Sequence, residues 1–269
     1  MIPQFSIPDL PSRHIQTPGA RIHARTLGEG PPLALLHGLS SSSADWLPIA
    51  PSLATDYRLL LLDMRGHGQS SLATEGGYAI SRMAADVAVV LDAFEIDRAH
   101  FLGLSLGGCV AMQFAVDYPA RVQRLVLVNT FARLQSTGIR SLRQRLTRIY
   151  AALHDMDQLA RYVATSLFDD PEYQRITYER MRHNDLGAIR RTMIALMRFN
   201  LLDQLHRIQA PTLVLVGDRD KTVPLRCATD MMARLPSAQM RVIADAGHAL
   251  PYDQPEAFVD AVLDFLARP

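Results

Sequence analysis

Short apolar runs alternate with segments of helical periodicity along this chain, and that alternation constrains the fold more than any other feature. The runs 33–36 and 59–62 contain apolar residues alone, as strands do when helices cover both faces of a parallel sheet. Residues 80–94 then place apolar side chains three and four positions apart, which is typical of an amphipathic helix. The alternation predicts an α/β fold with a doubly wound, mostly parallel sheet, whose site lies at the carboxyl ends of the strands.

The same criteria extend over most of the chain. Strands are predicted at 21–25, 33–36, 58–62, 100–102, 125–128 and 239–243, and in a run that begins at 211. Helices are predicted at 44–53, 80–94, 110–118, 223–235 and 255–266. The alternation is interrupted once, between residues 131 and 206, where no convincing strand is found. Residues 131–206 are therefore predicted to form a helical cap inserted into an α/β core made of residues 1–130 and 207–269.

The predicted cap carries two apolar helical faces and an excess of positive charge. The faces consist of Leu142, Leu146, Ile149, Tyr150 and Leu153, and of Ile189, Met193, Leu196 and Met197. Residues 131–206 hold 12 arginines against eight aspartates and glutamates. A cap whose arginines face the pocket would favour an acidic substrate, whereas solvated helix faces would carry the same arginines without a role in binding. Both interpretations stay open.

Composition argues against several classes of function. A formal net charge of +1 and a charged fraction of 20% do not indicate binding to nucleic acid or to an anionic membrane surface. Cys109 and Cys227 are the only cysteines, and they form no metal-ligand spacing, so we expect reduced thiols, no disulfide framework and no metal site. No stretch approaches the ~18 apolar residues of a membrane span. We therefore expect a soluble, cytoplasmic protein that acts on small molecules.

Residues 103–108 read Gly-Leu-Ser-Leu-Gly-Gly and lie between an apolar run and a helical segment. Gly-x-Ser-x-Gly in this position is typical of a nucleophile elbow, a tight strand-to-helix turn that exposes a serine hydroxyl. Glycine is required there because larger side chains would clash. Ser105 is therefore the candidate nucleophile, and the alternative is a small residue tolerated in a tight turn. For Cys109, one helical turn later, we expect a buried apolar role.

A serine hydroxyl is a weak nucleophile at neutral pH, so it needs a base that a third group orients. His248 follows the last predicted strand, and Asp220 follows the strand before it. Both should emerge at the same sheet edge as Ser105. Asp218 competes with Asp220 for the role of the acid, and a structural loop histidine is the alternative for His248.

Five ordered stretches carry a resemblance to a known family: His37-Gly38, residues 63–70, residues 103–108, residues 217–224 and Gly247-His248. From about residue 21 onward the chain resembles an α/β-hydrolase with a helical cap. The resemblance implies a catalytic triad of Ser105, Asp220 and His248, in the chain order of that family. It also implies an oxyanion hole formed by the backbone N–H groups of Leu39 and Leu106.

The same resemblance bears on the neighbouring residues. The match to Gly217-x-x-Asp220 favours Asp220 over Asp218 as the acid. Some relatives place the acid after the strand that here ends in Asn129, and an asparagine cannot stabilise an imidazolium by charge. His37 is expected to shape the oxyanion loop, and His67 is expected to order the turn at residues 65–66.

The implied chemistry is acyl transfer that requires no cofactor and no metal. The leading hypothesis is a carboxylic-ester hydrolase for small or medium substrates, with the cap forming much of the pocket wall. The alternatives are a lactonase resembling the 3-oxoadipate enol-lactone hydrolases, a carbon-carbon bond hydrolase of vinylogous diketones, a cofactor-free perhydrolase and a non-catalytic ligand receptor of the same fold. A serine rather than an aspartate at 105 argues against the haloalkane dehalogenases. The sequence predicts neither the natural substrate nor the oligomeric state.

Overall fold

The computed structural model describes residues 10–134 and 155–267. Its strands are β1 (Ser12–Thr17), β2 (Ala20–Leu27), β3 (Pro32–Leu36), β4 (Arg58–Leu62), β5 (Ala99–Leu104), β6 (Val122–Val128), β7 (Thr212–Gly217) and β8 (Ala238–Ile243). They form one sheet in the order β1-β2-β4-β3-β5-β6-β7-β8. Strand β2 runs antiparallel to both of its neighbours, and all the other pairs are parallel. The predicted doubly wound, mostly parallel sheet is confirmed.

The described helices are α1 (Ala50–Leu53), α2 (Ile80–Ala93), α3 (Leu106–Asp117), α4 (Met156–Leu167), α5 (Pro171–Met181), α6 (Leu186–Arg198), α7 (Leu225–Met232), α8 (Leu250–Asp253) and α9 (Pro255–Leu266). Helices α2, α3 and α9 lie close to their predicted positions. No described helix is both long enough and apolar enough to cross a membrane.

Two predicted helices and one strand need correction. The single helix expected at 44–53 is a 3-10 turn, Ser43–Trp46, followed by the separate helix α1. Pro48 interrupts it, because proline has no backbone N–H to donate to the carbonyl four residues earlier. The helix expected at 223–235 is shortened to α7. Strand β1 was not predicted, since it is an edge strand with only Ile15 and Thr17 buried. The apolar face predicted at 142–153 lies outside the described residues.

The central strands are buried on both faces, which explains their uninterrupted apolar sequences. On β3, Leu33 and Leu35 pack on the side of α9, against Phe258 and its neighbours. Ala34 and Leu36 pack on the opposite side, within the cluster that includes α2 and α3. All four β3 side chains have no solvent exposure. A fully buried leucine side chain contributes about 1.5–3 kcal/mol to folding, so this strand holds the two helical layers together.

The described part of the predicted cap is helical. Each of its helices begins at an aspartate whose carboxylate accepts a backbone N–H of the first turn: Asp155 for α4, Asp170 for α5 and Asp185 for α6. Such caps satisfy N–H groups that have no acceptor within the helix.

The two ends of this helical region meet at the core. Arg133 and Asn200 form an isolated antiparallel bridge, and the Leu201 N–H donates to the Ala132 carbonyl at 2.8 Å. This pairing supports an insertion that leaves and re-enters the core at one place. The boundaries 131 and 206 stay a prediction.

Candidate active site

Ser105 lies at the turn between β5 and α3 with positive backbone φ, at 53°. Two glycines make this turn possible. A Cβ at Gly107 would lie 2.0 Å from the Leu36 carbonyl oxygen, and a Cβ at Gly103 would lie 2.5 Å from the Gly107 backbone. Both contacts are shorter than any real Cβ makes, so the close approach of the α3 N-terminus to the sheet depends on glycine.

The Ser105 backbone is fixed by hydrogen bonds on both sides. Its N–H donates to the Val128 carbonyl at 3.0 Å. Its carbonyl accepts the Thr130 hydroxyl at 2.6 Å. Because both partners lie at or just past the end of β6, the neighbouring strand holds the serine in its strained conformation.

His248 and Asp220 form a buried pair at the same sheet edge. The His248 Nδ1 lies 2.9 Å from Asp220 Oδ2, and the Asp220 side chain is only 2% exposed. Asp220 Oδ1 accepts the backbone N–H groups of Thr222 at 2.6 Å and Val223 at 3.0 Å. Because an ionised carboxylate only accepts hydrogen bonds, it favours the neutral tautomer of His248 with the proton on Nδ1, in which Nε2 is able to take a proton.

Asp218, the competing acid, is placed differently. Its Oδ1 accepts the Ala246 N–H at 3.2 Å, and the residue is exposed. Of the two aspartates, the structure therefore brings Asp220 to the histidine. Ser105 and His248 line the same pocket, although the Ser105 hydroxyl donates no hydrogen bond to any residue in the described ranges.

Asn129 joins the loops that carry the acid and the base. Its Nδ2 donates to the carbonyls of Gly247 at 2.9 Å and His248 at 3.0 Å, and its Oδ1 accepts the Gly217 N–H at 3.0 Å. These partners fix which end of the amide is oxygen. From the sequence, Asn129 was considered only as a position that lacks the acid, although its place at the end of a strand was a signal of a positioning role.

The loop predicted to supply the oxyanion hole is held by the cap. Leu39 lines the pocket, and Ser40 beside it has φ of 63°. Asn184, just after α5, donates from Nδ2 to the Ser40 carbonyl at 2.8 Å. Leu106 is the first residue of α3, where a backbone N–H has no acceptor within the helix. Asn184 was not anticipated from the sequence.

His37 supports this loop from beneath. The Met64 N–H donates to its Nε2 at 3.0 Å, so the proton of the neutral ring is on Nδ1 and donates to the Gly38 carbonyl at 2.7 Å. Burial lowers the pKa of His37, although the Asp63 charge opposes that shift. A neutral ring with both nitrogens occupied is suited to shaping the loop.

Asp63 ties the end of β4 to three segments. It accepts His23 Nδ1 at 2.9 Å and the backbone N–H groups of Ser43 at 2.6 Å and Gln69 at 2.9 Å. Burial favours its neutral form, but the hydrogen bond from His23, the nearby His37 and the two N–H donors together hold its pKa well below the usual range. The ionised Asp63 therefore organises both the oxyanion loop and the following turn.

The turn itself depends on buried charges. His67 Nδ1 donates to the Arg65 carbonyl at 3.0 Å, and burial lowers the His67 pKa to about 3. Arg65 is fully buried and pairs bidentately with Asp86, at 2.6 Å from Nε to Oδ2 and 2.7 Å from Nη2 to Oδ1. Its remaining N–H groups donate to backbone carbonyls. Satisfaction of every donor is what makes such burial tolerable.

The pocket over Ser105 has a volume of about 290 Å³ and is lined by core and cap together. Its wall is mostly apolar, formed by residues such as Leu104, Phe131, Leu159, Val163, Ile189 and Leu196. An apolar cavity with a few polar groups is typical of small-molecule sites. Within the described ranges, no group of three or more His, Cys, Asp or Glu side chains is placed to hold a metal ion.

The chain is similar to known proteins over most of its length. A family model described as the alpha/beta hydrolase fold matches residues 31–255. The chain is 33% identical over 257 residues to a putative carbamate hydrolase, RutD, of Stutzerimonas stutzeri, with 92% of this chain and 96% of that protein covered.

Two further proteins are similar over nearly the whole chain. A pimeloyl-[acyl-carrier protein] methyl ester esterase of Aeromonas hydrophila is 30% identical, with 91% of this chain and 99% of that protein covered. The crystal structure of an enol-lactonase from Burkholderia xenovorans superposes with a TM-score of 0.85 at 27% identity, covering 96% of this chain and 100% of that one.

Proposed function

Because the chain belongs to the α/β-hydrolase family, we propose that it is a serine hydrolase that cleaves carboxylic esters of small or medium acyl substrates. The observation that carries the proposal is the contact between Asp220 and His248, 2.9 Å apart, since His248 lines the same pocket as Ser105. The relatives support ester chemistry, since one is named a methyl ester esterase and one an enol-lactonase.

The proposed reaction has two halves. His248 Nε2 takes the Ser105 proton as the hydroxyl oxygen attacks the substrate carbonyl, and Asp220 keeps the proton of the imidazolium on Nδ1 in place. The N–H groups of Leu39 and Leu106 hold the negative charge on the carbonyl oxygen. His248 then protonates the leaving alcohol. A water, deprotonated by the same histidine, releases the acid from Ser105.

The experiment is a turnover assay with short-chain p-nitrophenyl esters. We expect many equivalents of product per protein chain, and we expect Ser105→Ala to lower kcat by at least about 10³-fold. Ser52→Ala is the matched control, because Ser52 is exposed on α1 and should leave the rate unchanged. A fluorophosphonate should label the wild type once, at Ser105.

Turnover rates on a panel of esters, lactones and carbamates show which class of bond the protein cleaves. Preferential cleavage of lactones would move the proposal to the enol-lactonase alternative, with the same three residues. Saturable binding of a panel compound without turnover of any of them would overturn the proposal in favour of a ligand receptor.

A further inference from the structure

One cluster of charged and polar groups interrupts the apolar pocket wall. It joins Arg180 on α5, Asp45 in the turn that follows the oxyanion loop, and Tyr252 on α8, and all three line the pocket. Arg180 Nη1 donates to Asp45 Oδ1 at 3.1 Å and to the Tyr252 hydroxyl oxygen at 3.2 Å. The cluster therefore spans the cap and both loops that flank the proposed catalytic centre.

Both carboxylate oxygens of Asp45 accept hydrogen bonds within the protein. One oxygen of Asp45 accepts a hydrogen bond from Arg180, and the other accepts one from the Ser41 hydroxyl. The Arg180 and Asp45 side chains are 27% and 30% exposed, so they balance each other's charge in a partly dehydrated site. Each Asp45 oxygen therefore already accepts one hydrogen bond, and a donor on an occupant of the pocket would have to share an oxygen with Arg180 or Ser41.

Donors, in contrast, remain available. The Nε and Nη2 groups of Arg180 donate to no residue in the described part of the chain, and they are not among the fully enclosed side-chain nitrogens. Burial and the Asp45 charge raise the pKa of Tyr252 above its ordinary value, so its hydroxyl keeps its proton. That O–H also has no acceptor among the described side chains and carbonyls. The cluster is therefore rich in donors but has no net formal charge.

The positive charge of the cap does not alter this balance. Arg161 pairs with Asp157 and Arg175 pairs with Glu172, and these arginine side chains are 66% and 63% exposed. Neither arginine lines the pocket. For these residues the interpretation as solvated helix faces holds, and Arg180 is the only arginine among the described lining residues.

We propose that Arg180 and Tyr252 form a subsite for a neutral acceptor oxygen of the substrate, such as a ketone, amide or ether oxygen remote from the bond that is cleaved. The inference rests on the proposed ester hydrolysis and names its substrate class. Asp45 selects against a carboxylate at this place, because a second anion would share the guanidinium at the cost of repulsion and desolvation. A purely alkyl substrate would leave the donors unpaired once it displaced water from them.

The test uses matched esters that differ in one group. Three kinds of p-nitrophenyl ester of equal chain length carry an alkyl chain, a ketone at one of several successive positions, or a terminal carboxylate. An equivalent series varies the alcohol side of butyrate esters. For the wild type we expect kcat/KM to be about tenfold higher for the best ketone than for the alkyl ester, the gain expected of one hydrogen bond to a charged donor.

Three variants separate the contributions. Tyr252→Phe and Arg180→Met should lower the ratio of kcat/KM for the ketone ester to kcat/KM for the alkyl ester about threefold and about tenfold. Asp45→Asn should raise kcat/KM for the carboxylate ester by about tenfold, because it leaves Arg180 uncompensated. Arg175→Met, on the same helix but exposed, is the matched control and should change none of the three. Thermal unfolding of each variant checks that Arg180→Met still folds, and Tyr252→Phe carries the test if it does not.

The proposal is wrong if no ketone position in either series exceeds its alkyl counterpart, or if the variants lower all three esters equally. Should no ester be turned over at all, the proposed function fails instead, and calorimetric binding of a neutral oxo-amide against the matching alkyl amide tests the subsite alone. Equal affinity of the two amides would overturn it.

Discussion

Asn129 offers the sharpest test of how the site is held together. Its buried side chain, 2% exposed, makes three hydrogen bonds that join the end of β6 to the loops carrying Asp220 and His248. Asn129→Ala removes all three. The buried Gly217 N–H then loses its acceptor, which costs about 1–3 kcal/mol, and the two carbonyls lose a donor at the rim of the pocket, where water can replace it.

We expect Asn129→Ala to lower the free energy of unfolding by about 2–4 kcal/mol, since alanine also tolerates the φ of 42° less well than asparagine. Asn129→Gly separates the two causes. Glycine accepts the positive φ but still lacks the amide, so it should recover only the backbone part of the loss. Urea denaturation followed by circular dichroism measures both variants.

Activity should fall beyond what stability explains. With the His248 carbonyl released, the imidazole samples orientations away from Ser105, and we expect kcat to drop about tenfold under conditions in which the variant is fully folded, with KM nearly unchanged. Wild-type kcat in a folded Asn129→Gly variant would refute the positioning role. A decrease in the free energy of unfolding of less than about 0.5 kcal/mol for Asn129→Ala would refute the claim that these three hydrogen bonds stabilise the fold.

Three further perturbations test separate parts of the site. Asp220→Asn should lower kcat by about 10³–10⁴-fold, whereas Asp218→Asn should change it less than about threefold, and ester kinetics distinguish the two. Asn184→Ala frees the Ser40 carbonyl and should lower kcat about tenfold, while Glu179→Ala, exposed on the preceding helix α5, should not. His67 has a folded-state pKa of about 3 against an ordinary 6.5, so its contribution to stability is complete above pH 6.5 and is lost as the pH falls toward 3. The free energy of unfolding, measured by urea denaturation between pH 6.5 and 4.5, should therefore fall less steeply for His67→Asn than for the wild type, by up to about 1.4 kcal/mol per pH unit.

The central strands could be predicted because their sequences are almost uninterrupted runs of apolar residues. Strand β4 was predicted at the residues where it is found, 58–62, since four consecutive leucines fit only a strand buried on both faces. Strand β1 was missed for the opposite reason: four of its six residues, Ser12, Arg13, His14 and Gln16, are exposed, so it lacks the apolar run that marks the central strands. The helix at 44–53 was overextended because an apolar pattern does not record the break at Pro48.

The candidate triad could be predicted for a topological reason. Parallel strands bring residues that are far apart in sequence to one edge, so Ser105, Asp220 and His248 could be grouped from their positions after strands alone. Strand topology does not predict the polar cluster of Arg180, Asp45 and Tyr252. Arg180 and Asp45 are 135 residues apart, and their contact depends on how the cap docks on the core. The acidic-substrate hypothesis came from counting arginines, and a count does not distinguish Arg180 from Arg175.

Several loops of the site contain strained backbone positions that are held by contacts from other elements. Among the described residues, five non-glycine positions have positive φ: Ser40, Glu95, Ser105, Asn129 and Asp245. All but Glu95 lie in loops at the carboxyl edge of the sheet. Each of these costs energy, of order 1–3 kcal/mol, that other contacts must offset. Asn184 holds the Ser40 carbonyl, Thr130 holds that of Ser105, and Arg219 pairs with Asp245. One of these partners, Asn184, lies in the helical region between residues 131 and 206, so that region contributes a contact that holds the strained backbone at Ser40.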